Sequence, residues 1–357
     1  MRPASLALLL VPVLTFAACG GRGEEAGASA PAQAQPAARA PDPTPLPATD
    51  PAAPRFVFPV ACRLGQDCRI QRYMDRDPGP GVLDYRCGAA TNDGHEGLDI
   101  RLPDMTAQAR GVAVLAAAPG KVLRVRDGVA DVSARVVGAE AVTNIGCGNA
   151  VVIDHGNGWT SSYCHMAQGS VQVKPGDEVA AGQPLGRIGL SGLTEYPHLH
   201  FSVLRGGVLT DPFAPGPVAP GACPAQASLW SAEAARALAY RPGAILNAGF
   251  AGEPMNMDRV ESGQFTPAGP DAPALVAYMR AISLLAGDSL QLSLTGPGGE
   301  VLAETTTEPM AQTRAHQLQF IGKRRPPGGW PPGVYRAELR ILRDGKVWAE
   351  KRIETRF

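Results

Sequence analysis

From Arg55 onward the chain is a succession of short apolar runs separated by glycine-rich turns. Residues 112–118, 122–126, 150–154, 159–163 and 199–204 have the length and side-chain character of β-strands. Asn157-Gly158 lies between two of these runs. That pair predicts a two-residue hairpin, because both positions tolerate the positive φ such a turn needs. A second hairpin-like pattern follows, with residues 171–173, a Lys174-Pro175-Gly176-Asp177 turn, Glu178-Val179 and residues 185–188. No helix-length amphipathic stretch is present in this part of the chain.

The tail alternates more regularly. Leu290, Leu292 and Leu294 alternate with Gln291, Ser293 and Thr295, and Tyr335, Ala337, Leu339 and Ile341 alternate with Arg336, Glu338 and Arg340. Asp344-Gly345 then turns the chain into another strand-like run over 347–353. Period-two patterning at this spacing predicts a β-sandwich over 223–357, with an immunoglobulin-like form as one option. An alanine-rich stretch, 231–240, reads as a short helix. The chain as a whole is all-β, in two bodies covering 55–222 and 223–357.

The first 54 residues have a different pattern. Arg2 precedes an uncharged apolar run over 6–18, which is too short for a bilayer span of about 20 residues and reads as an export signal. Phe16-Ala17-Ala18-Cys19 is similar to a bacterial lipoprotein cleavage site, which would leave a lipid on Cys19; an ordinary secretory signal cut near Ala18 is the alternative. Residues 19–54 are mostly Ala, Pro and Gly, too poor in apolar groups to offset ordering entropy, and read as a tether.

Composition narrows the function. The 357 residues carry 33 Lys+Arg and 33 Asp+Glu, a formal net charge of +0, which argues against a nucleic-acid partner held by phosphate contacts. Of the 7 Cys, Cys19 is set aside, and the others suit disulfides in an exported chain. Cys62 with Cys68 and Cys147 with Cys164 are the expected pairs, and Cys87 with Cys223 is the remainder. A zinc–thiolate site is disfavoured because no Cys-x-x-Cys occurs.

Histidine is scarce at 6 residues, and most of it sits in patterns. These are Gly94-His95-Glu96-Gly97-Leu98-Asp99, Tyr163-Cys164-His165-Met166 and Pro197-His198-Leu199-His200-Phe201. In a strand His198, His200 and Ser202 share one face, while Leu199, Phe201 and Val203 share the other. His95 and Asp99 fall on one side of an extended segment. One His, one Asp and a further His make three ligands with a fourth position left for water, the arrangement of catalytic zinc. His155 reads as structural, His316 as a surface or loop residue, and Asp154 and Asp177 as turn residues. Asn149 either positions backbone near the site or, the preferred reading, makes a turn-side hydrogen bond. Tyr163 shares a face with His165 by strand alternation and either lines a cleft or is a half-buried structural residue.

His-x-Gly-x-Asp, Tyr-x-His and His-x-His in this order resemble the lysostaphin/LytM-type zinc metalloendopeptidases, over roughly residues 90–213. The resemblance implies a Gly-rich β-sheet or barrel-like catalytic domain that cuts peptide bonds of bacterial peptidoglycan. It implies one Zn²⁺ held by His95, Asp99 and His200, with His165 and His198 as catalytic histidines. No His-Glu-x-x-His helix offers a glutamate base, and Glu96 is expected to point away from the ligand face. With a lipid anchor at Cys19, the expected place is the periplasmic face of the envelope, the outer membrane favoured, and the expected bonds are D,D cross-links, with glycyl bonds as the alternative. Two alternatives remain: a non-enzymatic wall-bound regulator of other hydrolases, and a peptidoglycan-binding module in which 223–357 is the binder.

Overall fold

The computed structural model describes residues 51–216 and 228–357. The export signal, Cys19, nearly all of the tether and Cys223 lie outside the described residues. Strands of the first body are β1 (Arg69–Arg72), β2 (Leu98–Arg101), β3 (Ala113–Leu115), β4 (Gly120–Arg126), β5 (Asn149–Gly156), β6 (Trp159–Met166), β7 (Glu178–Val179), β8 (Pro184–Arg187), β9 (His198–Arg205) and β10 (Val208–Leu209). They form an antiparallel sheet in the order β1-β2-β9-β6-β5-β4-β7, with β10 beside β9 and a separate β3-β8 pair. The sheet runs open from β1 to β7, so the barrel-like form is not what the chain adopts. Short helices α1 (Met105–Ala109), α2 (Ala134–Val137) and α3 (Ala139–Val142) sit in the connections.

Local sequence explains the register. Asn157 and Gly158 have φ of 53° and 80°, the two positive values of a hairpin turn whose twist matches the β5–β6 pair. The second expected hairpin does not form. Residues 171–173 belong to no strand, β7 pairs with β4, and β8 pairs with β3. The Lys174–Asp177 turn is closed by its own Asp177, while Gly176 N donates to Val122 O at 2.8 Å, which draws the turn onto β4.

One face of the sheet is apolar. Ile100, Val151, Ile153, Tyr163, Leu199, Phe201 and Val203 are buried there with Phe56. Leu229 and Trp230 enter the same core, as do Ala234 and Leu238 around α4 (Ala232–Ala237), which Ser231 caps. Phe56 N donates to Leu229 O and Ser231 N to Phe56 O, both at 2.8 Å, so the segment after residue 228 is stitched to the first body.

The second core begins with β11 (Ala244–Ala251), followed by α5 (Met257–Ser262), β12 (Ala274–Leu284), β13 (Ser289–Thr295), β14 (Val301–Thr306), β15 (Arg314–Arg324), β16 (Val334–Arg343) and β17 (Lys346–Arg356). A three-stranded sheet, β11-β12-β15, faces a four-stranded sheet, β14-β13-β16-β17. Leu290, Leu292, Leu294, Tyr335, Leu339 and Ile341 fill the space between them. Each fully buried leucine contributes about 1.5–3 kcal/mol. Asp344 and Gly345 turn β16 into β17 with φ of 51° and 70°. His316, expected on the surface or in a loop, is half-buried in β15 opposite Ile282.

Candidate metal centre

The polar face of the first sheet lines a cleft of about 990 Å³. In the ladder Asp99 of β2 lies directly opposite His200 of β9, and His200 opposite Cys164 of β6. Strand alternation sends Leu199 and Phe201 into the core, so His198, His200 and Ser202 face the cleft. His95 comes from the loop before β2. Asp75 holds that loop by accepting from Gly94 N at 2.9 Å, and Asp75 N donates to His95 O at 2.8 Å.

Gly97 is required by close approach. A Cβ there would lie 2.6 Å from Phe201 O and 2.8 Å from His200 Nε2, so only glycine lets the His200 ring sit beside this turn.

Three imidazoles converge on one carboxylate oxygen. Asp99 Oδ1 lies 2.9 Å from His200 Nδ1, 3.1 Å from His95 Nε2 and 3.4 Å from His198 Nε2. Asp99 is 2% exposed. Burial opposes its ionisation, but the surrounding imidazoles outweigh it and hold the carboxyl well below the usual range. His95 moves the other way: burial lowers its pKa, Asp99 and the Tyr73 carbonyl together raise it by more, and the net shift is upward. Ligand atoms of His95, Asp99 and His200 lie within 4.8 Å of one another, the one such metal-competent group of His, Cys, Asp or Glu among the described residues.

Backbone carbonyls set the ring orientations. A carbonyl only accepts, so the His95 Nδ1–H that donates to Tyr73 O at 2.7 Å leaves Nε2 as the free donor atom. His165 Nδ1–H donates in the same way to Ser191 O at 2.8 Å, and His198 Nδ1–H to Tyr196 O at 3.0 Å. The His165 and His198 rings stand 4.6 Å apart, centroid to centroid. Burial, then the neighbouring imidazoles, push the His165 pKa well down, which keeps that ring neutral. Burial also lowers His200, against the hydrogen bond that its Nδ1–H donates to Asp99 Oδ1.

His165 reaches the cleft by a backbone anomaly. Its φ is +61°, which breaks the alternation of β6 and turns His165 to the side where Cys164 already points. Tyr163 therefore does not share its face. The Tyr163 ring is in the core, and its hydroxyl accepts from Ala117 N at 2.7 Å. The Cys147–Cys164 disulfide and the His165 N–H bond to Cys147 O, 2.8 Å, fix this corner. Cys62–Cys68 forms as expected; Cys87 is also disulfide-bonded, and its expected partner Cys223 lies outside the described residues.

His155 bonds Pro119 O and Ser161 Oγ, away from the cleft. Glu96 lies exposed on the cleft rim. Fully buried Asn149 ties Val129 to Met166 O, next to His165. Ser191, Thr194, Tyr196 and Asp75 support the histidines, and no local motif marks them in sequence.

Residues 93–212 match peptidase family M23. The chain carries a peptidase family M23 domain. The M23 domain is similar to part of the peptidoglycan DD-endopeptidase ShyA of Vibrio cholerae, 40% identical over 60 residues, 17% of this chain and 14% of that one. It is also similar to outer membrane antigenic lipoprotein B of Histophilus somni, 32% identical over 123 residues, 34% of this chain and 29% of that one. The catalytic domain of the antimicrobial peptidase lysostaphin from Staphylococcus simulans is 25% identical, with 40% of this chain and 85% of that one covered and a TM-score of 0.26. The chain spans less than a third of the length of the curated relatives it matches.

Proposed function

We propose that the M23 domain is a zinc-dependent endopeptidase that hydrolyses peptide cross-links of bacterial peptidoglycan, with D,D-bonds preferred. The observation that carries this reading is the convergence of His95, Asp99 and His200 beside two further carbonyl-oriented histidines in one cleft. The donor set fits Zn²⁺: two imidazoles and a carboxylate, with room for a fourth ligand. Bound there, the metal would polarise a carbonyl and lower the pKa of its water toward about 7.

This chain's own residues supply the rest. His165, held neutral with Nδ1–H on Ser191 O, offers a free Nε2 to take or orient a proton of the attacking water. His198, oriented the same way, shares that task, and once its Nε2 has taken a proton that N–H donates to the oxyanion. Arg72 favours a substrate bearing a carboxylate. It lines the cleft opposite Asp99 in the β1–β2 ladder, and its guanidinium has no hydrogen-bond or ion-pair partner among the described residues. A D-alanyl–diaminopimelate link leaves a free carboxylate beside the scissile amide, whereas a glycyl bridge does not. Similarity to a DD-endopeptidase and to an outer membrane lipoprotein supports the same bond and an envelope location with a lipid on Cys19.

The test is digestion of purified sacculi by the zinc-loaded protein, with mass analysis of the released muropeptides. Loss of D,D-cross-linked dimers with matching gain of monomers is expected. Intact sacculi with full zinc occupancy would overturn the enzymatic reading in favour of a wall-bound regulator. Cleavage confined to glycyl bridges would overturn the bond assignment alone.

A further inference from the structure

The sandwich reaches the cleft through a run of buried contacts. Glu261 of α5 accepts from Arg101 Nη2 of β2 at 2.5 Å and, through the same Oε2, from Arg280 Nη1 of β12. Arg101 and Arg280 are 1% and 0% exposed. The Arg101 guanidinium carbon lies 3.8 Å from the centroid of the Tyr196 ring. That ring stands 5.0 Å, centroid to centroid, from His198, and Tyr196 O is the acceptor of the His198 Nδ1–H bond. Four side chains thus connect the second body to a histidine of the cleft.

The charges make this arrangement conditional on Glu261. Two buried guanidiniums share one carboxylate, and a buried ion deprived of its partner is strongly disfavoured. Arg280 has other acceptors, Pro103 O and, at 2.8 Å, Asn247 Oδ1. Among the described residues Arg101 has only Gln71 Oε1 besides, at 2.8 Å, and its Nε is buried with no partner. Loss of the carboxylate therefore falls mainly on Arg101, the group that stacks on Tyr196. Ser283 Oγ, which donates to Gln71 O at 2.6 Å, holds the two bodies together without touching Tyr196.

We infer that Glu261 and Arg101 are positioning residues: through Tyr196, the sandwich sets the orientation of the His198 ring. The inference rests on the catalytic role proposed above for His198. It gives residues 244–357 a part in the reaction besides any binding of the wall. Arg101 and Glu261 are 160 residues apart in sequence, and Glu261 lies outside the stretch matched to the family.

The test uses the full, zinc-loaded chain and the variants Glu261→Gln, Arg101→Met and Ser283→Ala. Zinc content, melting temperature, kcat and KM on a soluble cross-linked muropeptide, and the His198 Nδ1–H proton resonance are measured for each. Glu261→Gln and Arg101→Met are expected to keep zinc and KM, lose about 10-fold or more in kcat, and shift or lose that resonance. Ser283→Ala is expected to lower the melting temperature alone. Should the charge variants fold poorly, the apolar triple variant Arg101→Met/Glu261→Met/Arg280→Met removes the buried charges while keeping packing volume. A stable triple variant with wild-type kcat would overturn the inference, and a stable but slow one supports it. If the wild type cleaves nothing, the proposed function fails, while the resonance still reads the contact: no change in Glu261→Gln overturns it.

Discussion

Strands β9 and β13 carry the same alternation to different ends. In β13 the leucines enter the sandwich core, and Gln291, Ser293 and Thr295 face partly into solvent, where water satisfies them. In β9 the apolar residues are just as buried, but the polar side is withdrawn too: His198 is 5% and Ser202 8% exposed. A buried polar face is stable only when its groups have partners. Those of β9 do, in Asp99, Tyr196 O and each other. The difference teaches where function sits. A wet polar face needs no explanation, whereas a sheet that withdraws imidazoles on one side and core on the other is where we propose the metal site.

The strongest test of this comparison removes the common partner. Asp99→Ala takes away the carboxylate on which three imidazoles converge. Zinc binding is expected to fall to background by elemental analysis, and hydrolysis with it. Full metal occupancy in this variant would break the ligand assignment. His165→Ala comes next. It removes the proposed proton handling and leaves all three proposed ligands, so zinc content is expected to hold while kcat falls by about 10² or more.

The polar face was the legible part of the molecule. Three short motifs named the five residues that the sheet brings together, because alternation, glycine spacing and histidine scarcity are local properties. Gly97 could be read as part of a motif, but its contact with His200 could not. Alternation puts Tyr163 on the face of His165, and the structure does not, because a positive φ at His165, a bulky residue, leaves no mark in sequence. Residues 171–173 pack against the core, with one backbone bond from Gln172 N to Leu185 O, but join no ladder, and periodicity does not distinguish the two. Contacts between Arg101, Glu261 and Tyr196 were invisible because each residue alone reads as an ordinary surface polar group.

The sandwich supplies the contrasting perturbation. Leu292→Ala empties space between the two sheets, and such truncations cost about 2–5 kcal/mol. Thermal unfolding is expected to show that loss, while zinc content and kcat of the folded fraction stay at wild-type values. A large drop in kcat well below the melting temperature would mean that packing between the two sheets, and not only the Glu261–Arg101 contact, reaches the cleft.

The smallest expected effect concerns pH, where the two regions oppose each other. His316 in the sandwich is pushed down to about 4, first by burial and then by the positive charge of Arg101, Arg280, Arg135 and Arg72. An unfolded histidine titrates near 6.5, so between about pH 6.5 and 4 the unfolded chain binds the extra proton, and stability is lost as pH falls. Asp211 in the first body is raised to about 6 by burial, despite accepting from Phe213 N at 2.9 Å and pairing with Arg76. Between about pH 6 and 4 the folded chain holds that proton more tightly, so this group adds relative stability as pH falls. The two slopes offset in the wild type. His316→Gln is expected to become more acid-resistant, with a higher melting temperature at pH 4.5 relative to pH 7 than the wild type shows. Asp211→Asn is expected to tilt the same ratio the other way. Each shift is on the order of 2–4 °C per kcal/mol for a body of this size. Parallel shifts in the two variants would show that the groups do not titrate independently.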